Sequence, residues 1–252
     1  MKQFGLIGYP LAHSFSKKYF TQKFEQEGIE GCSYDLFPLE HIAAFPALLE
    51  SNPHLSGLNV TIPHKQAIMP FLDRLDETAA AVGTVNTIKI ANGKLTGYNT
   101  DVHGFEKSLL KCVEKAGLKQ AELKAIVLGS GGASKAVVFV LKKHRIPFQI
   151  VSRQAKYGTL TYPDLENTTF SSFSLVVNTT PLGMAPKNET CPPLPYRFAH
   201  PGQLFFDLVY NPEKTLFLAR AAAKGAFICN GLQMLHLQAE KAWEIWKEEQ
   251  MG

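Results

Sequence analysis

The distribution of apolar and polar positions predicts strands that alternate with helices along the chain. Short apolar runs indicate strands, and apolar positions that repeat every three or four residues indicate amphipathic helices. Gly and Pro residues after many of these segments mark their ends. The predicted strands span residues 3–8, 33–38, 55–62, 84–90, 94–98, 123–128, 148–151, 175–178, 204–208 and 226–229. The predicted helices span residues 17–28, 41–50, 66–71, 76–82, 103–116, 133–144 and 232–247.

The pattern changes character near residue 102. Before this point, the turn Asn92-Gly93 predicts a hairpin between two strands. After it, continuous apolar strands alternate with helices, which is typical of a parallel sheet with right-handed crossovers. The expected fold class is α/β, with a Rossmann-like arrangement in the second half.

The composition is that of a folded globular protein. The chain has 252 residues, of which 45% are hydrophobic and 19% charged, and its net charge is +4. No basic run indicates nucleic-acid binding, and no apolar stretch approaches the roughly 20 residues of a membrane span. The cysteines are far apart and lack metal-ligand spacing, so reduced thiols, no metal site and a cytoplasmic location are expected. These cysteines are Cys32, Cys112, Cys191 and Cys229.

A glycine turn follows the predicted strand at residues 123–128. Glycines in such a turn let backbone N–H groups approach a pyrophosphate, and the start of the next helix favours negative charge. The strand before the turn and the helix after it supply the context that this motif requires, so a dinucleotide site is expected. Ser134 stands where the usual fingerprint has Gly or Ala. The predicted contact residues are Gly129, Ser130, Gly131, Gly132 and Ala133.

The end of the next predicted strand favours NADP(H) over NAD. A ribose 2′-hydroxyl is usually held by an acidic residue there, and this chain has Ser152-Arg153-Gln154 instead. Arg153 can pair with a 2′-phosphate, and Ser152 and Lys156 could add contacts. The alternative is that Arg153 is an ordinary charge of a surface loop.

Three polar clusters interrupt the apolar pattern of the first half. Taken singly, each has an ordinary structural explanation: Ser16 as a helix N-cap, Lys65 as an exposed lysine, and Asp101 as the cap of the next helix. The clusters are Ser14-Phe15-Ser16, residues 59–65 with the pattern N-V-T-x-P-x-K, and Val85-Asn86-Thr87 together with residues 97–104, G-x-N-T-D-x-x-G.

Taken together and in this order, the clusters resemble the shikimate dehydrogenase family. The second half of the chain agrees, and the resemblance spans nearly the whole sequence. The matching segments there are the glycine turn and residues 178–184, 207–212, 231–235 and 238–239.

The resemblance implies a function and a domain organisation. The implied reaction is the reversible reduction of 3-dehydroshikimate to shikimate by NADPH, a step towards aromatic amino acids. The implied domains are an N-terminal α/β substrate-binding domain over residues 1–101 and a Rossmann-like NADP-binding domain over residues 102–230. Residues 231–252 would form a helix that returns to the first domain. The implied partner is the small-molecule substrate, and the protein would be a monomer or a homodimer.

The resemblance also assigns roles to residues. It implies that Lys65 and Asp101 are the catalytic pair. It implies substrate binding by Ser14, Ser16, Thr61, Asn86, Tyr210 and Gln238. The cofactor residues already predicted are the glycine turn, Ser152 and Arg153. The resemblance adds four more: Glu77, Thr179, Leu208 and Gly231. Glu77 alone would be interpreted as a common acidic residue on a helix surface.

Two departures from the family pattern leave alternatives open. Lys17 follows Ser16 where the family usually has Pro, and the neighbours of Arg153 differ from the usual N-R-T. One alternative is a quinate/shikimate dehydrogenase that accepts NAD. Another is a non-catalytic nucleotide-sensing protein on the same fold, which the presence of Lys65 and Asp101 disfavours. A folate-linked dehydrogenase would not explain Ser14, Ser16 and Gln238.

Overall fold

The structure is a computed structural model that describes residues 2–11, 14–154, 159–165 and 170–248. Within these residues the chain forms two compact units, each with a six-stranded sheet. The first unit comprises Met1–Thr100 and Ala239–Gly252, and the second comprises Asp101–Gln238. The expected α/β fold class is confirmed.

The strands and helices alternate in the order that the apolar pattern predicts. The strands are β1 Lys2–Gly8, β2 Cys32–Pro38, β3 Leu55–Val60, β4 Arg74–Leu75, β5 Thr87–Ala91, β6 Lys94–Tyr98, β7 Ala125–Leu128, β8 Phe148–Ser152, β9 Thr159–Thr161, β10 Leu175–Asn178, β11 Leu204–Asp207 and β12 Phe227–Cys229. The α-helices are α1 Phe15–Gln26, α2 Phe45–Ser51, α3 Glu77–Val82, α4 Thr100–Lys115, α5 Gly132–Lys143, α6 Leu216–Ala222 and α7 Leu232–Lys247.

The sheet of the first unit is mixed, with the order β2-β1-β3-β5-β6-β4. Strand β1 pairs in parallel with β2 and β3, whereas β5 is antiparallel to β3 and to β6. The predicted hairpin at Asn92-Gly93 joins β5 to β6. Because β1 and β3 are parallel, their carboxyl ends meet at one edge of the sheet, where Thr61 and Lys65 follow β3.

The last part of α7 packs into the core of the first unit, as the fold class predicted. The rings of Phe4 and Trp246 stack with their centroids 4.8 Å apart, and the indole N–H of Trp246 donates to the carbonyl oxygen of Ile88 at 3.0 Å. On the outer side, the Lys23 ammonium of α1 pairs with the Glu240 carboxylate at 2.9 Å. Aromatic burial of this size makes α7 an integral part of the unit.

The sheet of the second unit is entirely parallel, with the order β12-β11-β10-β7-β8-β9. Strands β7, β10 and β11 are buried along their full length, which explains their continuous apolar runs. The carboxyl ends of parallel strands meet at one edge, so the loops after β7, β8, β10 and β11 lie along that edge. Ligands of open α/β sheets bind at this edge.

Several predicted boundaries are wrong for identifiable reasons. The helix expected at residues 66–71 is a 3₁₀ turn at Met69–Phe71, because Pro70 cannot donate a backbone hydrogen bond. The helix expected at residues 41–50 divides into a 3₁₀ turn, Ile42–Ala44, and α2. The sequence pattern also missed β4 and β9, which have two and three residues, and the helix α6.

The expectation of four reduced thiols is also wrong. Cys112 and Cys229 form a disulfide within the second unit, and only Cys32 and Cys191 are free. The two bonded cysteines are 117 residues apart in sequence, so spacing gave no signal of their pairing. Across the part of the chain that the structure describes, no helix is both long enough and apolar enough to cross a membrane.

Candidate active site

A chain of buried polar side chains crosses the first unit at the edge where β3 ends. The Tyr34 hydroxyl donates to the Asn59 side-chain oxygen at 2.8 Å, and the Asn59 amide donates to Thr87 Oγ1 at 3.2 Å. Thr87 Oγ1 in turn lies 3.2 Å from Thr100 Oγ1. All four residues are almost completely buried. Buried polar groups with this many partners rigidify the backbone around them.

Asn86 connects this network to the start of α4. Its side-chain oxygen accepts from the Thr100 backbone N–H at 2.7 Å, and its amide nitrogen donates to Thr100 Oγ1 at 2.9 Å. The first N–H groups of a helix have no partner within the helix, so Asn86 supplies one from a distant segment. Asp101 follows in the first turn of α4, and only 9% of its surface is exposed. It is therefore inside the helix, and the interpretation of Asp101 as the helix cap is wrong.

Lys65 lies in the loop after β3, close in the fold to Val85 and Asn86. The Val85 backbone N–H donates to the Lys65 carbonyl oxygen at 2.8 Å, and the Lys65 side chain is partly exposed. The Thr61 N–H donates to the Ile7 carbonyl at 2.9 Å and fixes the start of the same loop. The neighbouring His64 is buried, and its ring Nε2 lies 2.5 Å from the Leu39 carbonyl oxygen. The loop is thus anchored on both sides of Lys65.

Ser14 and Ser16 lie at the start of α1. Ser14, and not Ser16, occupies the N-cap position, but its hydroxyl forms no capping hydrogen bond. Among the described residues Ser14 Oγ has no hydrogen-bond partner, although it is buried. The Ser16 hydroxyl bonds to Tyr34, and burial raises the pKa of Tyr34 more than this bond lowers it. The first unit therefore brings Ser16, Tyr34, Asn59 and Asn86 into one network.

The glycine turn of the second unit packs tightly against the strand β8 and the loop after β10. Gly129 has φ +104°, and its N–H donates to the Val151 carbonyl at 2.8 Å. A Cβ on Gly129 would lie 2.9 Å from Thr179 Oγ1, which itself donates to Leu128 at 2.6 Å. The turn therefore brings the predicted residues Gly129 and Thr179 together, and only glycine fits at this position.

The helix after the turn begins with free space in front of it. Gly131 is the N-cap of α5, and a Cβ built on Gly131 or Gly132 would meet no atom of the described residues within 4 Å. Packing against the described residues therefore does not explain these two glycines. Ser134 is buried and its hydroxyl donates to the Gly131 carbonyl at 2.6 Å, so the serine is compatible with the turn. Ser130 is exposed and Ala133 half-buried in the first turn.

The loop after β8 presents a cation and lacks a carboxylate within its described residues. The Ser152 hydroxyl donates to the Gln154 carbonyl, and the Arg153 side chain is exposed. Lys156, for which a further contact was expected, lies outside the described residues. The sequence Ser152-Arg153-Gln154 therefore presents an exposed guanidinium that can pair with an anionic group.

A second polar network, whose role sequence analysis missed, holds the loops after β10 and β11. Asn178 and Asp207 are opposite each other in the sheet, and the Asn178 amide donates to Asp207 Oδ1 at 2.9 Å. Asp207 also accepts from the Val209 N–H at 3.0 Å and from the Thr215 hydroxyl at 2.6 Å. Burial raises the pKa of Asp207 to about 6. One sequence signal could have revealed this network. Asn178 and Asp207 are each a polar residue at the end of an otherwise apolar strand.

The remaining predicted residues lie after β11, on α7 and in the first unit. A Cβ on Gly231 would lie 2.1 Å from the Leu208 carbonyl oxygen, so these two predicted cofactor residues are in contact. Tyr210 is half-buried, and burial raises its pKa. Gln238 is on α7 and donates to the Leu235 carbonyl at 2.8 Å. Glu77 is exposed in the first turn of α3, within the first unit.

The two sheets, the glycine turn and the Arg153 loop define a dinucleotide-dependent α/β oxidoreductase. Residues 6–88 match the family model of the shikimate dehydrogenase substrate binding domain. The chain is 40% identical to the shikimate dehydrogenase (NADP(+)) of Oleidesulfovibrio alaskensis, over 98% of this chain and 90% of that protein. It is 37% identical to that of Desulforamulus reducens, over 96% and 88%.

A solved structure agrees with these sequence comparisons. The shikimate 5-dehydrogenase of Thermus thermophilus in complex with NADP(H) and shikimate superposes with a TM-score of 0.84, at 31% identity, over 98% of this chain and 94% of that one. The chain belongs to the shikimate dehydrogenase family. The predicted resemblance is confirmed.

Proposed function

We propose that this protein catalyses the reversible reduction of 3-dehydroshikimate to shikimate with NADPH. The observation that carries the proposal is the relationship to NADP-dependent shikimate dehydrogenases over nearly the full chain, through both units. A match confined to one unit would support only a shared fold. A match through both units covers the segments in which we place the substrate residues and the cofactor residues.

The first unit supplies most of the groups that we assign to the substrate. Shikimate carries hydroxyl groups and a carboxylate, and such a ligand needs hydroxyl and amide partners that are held in place. The Asn86 side chain is fixed by Thr100, and Ser16 by Tyr34. The buried Ser14 hydroxyl has no partner among the described residues and would gain one from a ligand. Thr61, Tyr210 and Gln238 complete the proposed set.

We assign the chemical step to Lys65 and Asp101. Reduction of a ketone needs a hydride at carbon and a proton at oxygen, and NADPH supplies the hydride when it is bound. An ammonium group can deliver the proton or stabilise the developing alkoxide, which is the role of Lys65. We assign Asp101 the role of its acidic partner in this step. The anchoring of α4 by Asn86 limits the positions that Asp101 can take.

The second unit supplies the proposed cofactor residues, except Glu77. The open space before Gly131 and Gly132 accommodates the pyrophosphate at the start of α5. Arg153 pairs with the 2′-phosphate and Ser152 supports its loop. Thr179, Leu208 and Gly231 shape the same edge of the parallel sheet with their backbone and side-chain contacts. The exposed Glu77 is the weakest member of this set, since its position in the first turn of α3 already has a structural explanation.

Substitution of the catalytic pair tests the assignment. We expect Lys65→Ala and Asp101→Asn each to lower kcat by about 10²-fold or more while the protein stays folded. Lys119→Ala, at a lysine that is exposed on the second unit, is the matched control and should leave kcat unchanged. Circular dichroism and thermal unfolding would verify the fold. Near-normal kcat in both variants would refute the assignment.

The finer expectations stay predictions. We place the substrate-binding domain at residues 1–101 with 231–252, and the NADP-binding domain at residues 102–230. The oligomeric state is a monomer or a homodimer. The prediction of a cytoplasmic location depends on reduced thiols. Because Cys112 and Cys229 form a disulfide, only the free Cys32 and Cys191 still agree with that argument.

A further inference from the structure

A cavity of about 510 Å³ lies in the second unit beside the Cys112–Cys229 disulfide. The disulfide ties α4 to the last residue of β12. Both bonded cysteines line the cavity. Cys112 is 5% exposed and Cys229 is partly exposed, so Cys229 is the more accessible residue of the pair.

The charged residues that line the cavity favour an anionic ligand. Lys115 and Lys214 line it, and Glu213 is the acidic residue among the described lining residues. Lys115 is three residues after Cys112 on α4, and residues at this spacing share one face of a helix. Two lysines against one glutamate leave a net positive charge beside the disulfide, which raises the local concentration of anions.

A buried hydroxyl in the same cavity lacks a partner. Ser108 is fully buried, and its Oγ has no hydrogen-bond partner among the residues that the structure describes. An unsatisfied buried hydroxyl costs about 1–3 kcal/mol, so α4 carries an unpaired polar group beside the cavity. Ser108, Cys112 and Lys115 are spaced by four and three residues, and all three line the cavity.

We propose that this cavity is a thiol–disulfide exchange site for small anionic thiols that carry carboxylates. In the first step the ligand thiolate attacks Cys229 Sγ, the Cys112–Cys229 bond breaks, and Cys112 leaves as a thiolate that takes up a proton. In the second step another thiolate attacks the ligand sulfur of the mixed disulfide, which releases the ligand disulfide and the Cys229 thiol. Two ligand thiols are oxidised and the protein disulfide is reduced by two electrons. The reverse sequence, from a small disulfide, restores the bond.

The rate of reduction by two thiols of different charge tests the proposal. Protein purified without reductant is treated with glutathione, which also carries carboxylates, or with 2-mercaptoethanol, whose thiolate is its single charge, at equal thiolate concentrations. Alkylation and mass spectrometry then measure the reduced fraction. We expect Lys115→Gln with Lys214→Gln to slow reduction by glutathione about tenfold at low ionic strength, and to slow reduction by 2-mercaptoethanol much less because its thiolate carries a single charge. Lys119→Gln with Lys224→Gln, at exposed lysines outside the cavity lining, is the control and should change neither rate.

A trapping experiment tests the site of attack. In the Cys112→Ser variant, oxidised glutathione should form its mixed disulfide mainly on Cys229 rather than on Cys32 or Cys191. Equal slowing of both thiols in the cavity variant, or a mixed disulfide spread evenly over the three cysteines, would overturn the proposal. Four free thiols in protein purified without reductant would overturn it as well. None of these measurements depends on the proposed dehydrogenase activity.

Discussion

The Asn86 side chain holds the first residue of α4, Thr100, with two hydrogen bonds: its oxygen accepts from the Thr100 N–H at 2.7 Å and its amide donates to Thr100 Oγ1 at 2.9 Å. The next residue is Asp101, one of the two proposed catalytic residues. The structure therefore couples a proposed substrate residue to the position of a proposed catalytic residue through a single side chain.

Replacing Asn86 should affect both stability and activity. We expect Asn86→Ala to lower the free energy of unfolding by about 1–3 kcal/mol, because buried groups of Thr100 lose their partner. Activity should fall further than this loss of stability explains, since Asp101 would no longer be held. Urea unfolding and kcat/KM measure the two effects, and Asn188→Ala at an exposed turn is the matched control. If Asn86→Ala kept wild-type kcat/KM, the coupling would be absent.

The buried Asp207 should make stability depend on pH. Burial raises its pKa from 3.8 to about 6, so the folded protein binds its proton more tightly than the unfolded chain does. The stabilisation from this proton is complete below pH 4 and is lost as the pH rises through 6. A difference of about two pH units corresponds to about 3 kcal/mol.

The Asp207→Asn variant isolates this contribution. Between pH 4 and pH 7 the free energy of unfolding of the wild type should decline relative to that of the variant by about 3 kcal/mol. Urea unfolding across this pH range measures both free energies of unfolding. Their difference at each pH isolates Asp207, because the other titrating groups contribute equally to both proteins. Parallel pH profiles of the two proteins would contradict the raised pKa.

Arg153 should determine the choice of cofactor. Loss of a charge-assisted contact to the 2′-phosphate costs about 1.5–3 kcal/mol, which corresponds to about 10- to 150-fold in affinity. We expect Arg153→Ala to raise KM for NADPH by this factor and to leave KM for NADH nearly unchanged. Arg197→Ala, at another exposed arginine of the second unit, should change neither value. An equal rise for both cofactors in Arg153→Ala would mean that the guanidinium does not contact the phosphate.

Much of the fold was predictable because the local order of apolar and polar residues determines many of its strands and helices. Strand β10 and helix α7 have the predicted bounds, Leu175–Asn178 and Leu232–Lys247, since a continuous apolar run and a long amphipathic period are strong signals. The elements β4 and β9, with two and three residues, and the seven-residue helix α6 were missed. The helix predicted at residues 66–71 failed because Pro70 removes a backbone donor.

The candidate site was predictable as motifs but not as contacts. The runs around Lys65, Asn86 and Asp101 pointed to the residues, whereas the bonds from Asn86 to Thr100 join segments 14 positions apart and leave no local pattern. The Cys112–Cys229 pair spans 117 positions and was interpreted as two free thiols. Long-range pairings of this kind depend on the whole fold.

Activity on defined pairs of cofactor and substrate tests the proposed function most directly. The measurement is kcat/KM of the purified wild-type protein for oxidation of shikimate and of quinate, each with NADP⁺ and with NAD⁺. The account predicts that shikimate with NADP⁺ gives the highest value, at least about tenfold above each of the other three pairs. An equal or higher value for quinate with NAD⁺, or no turnover with any pair, would contradict it.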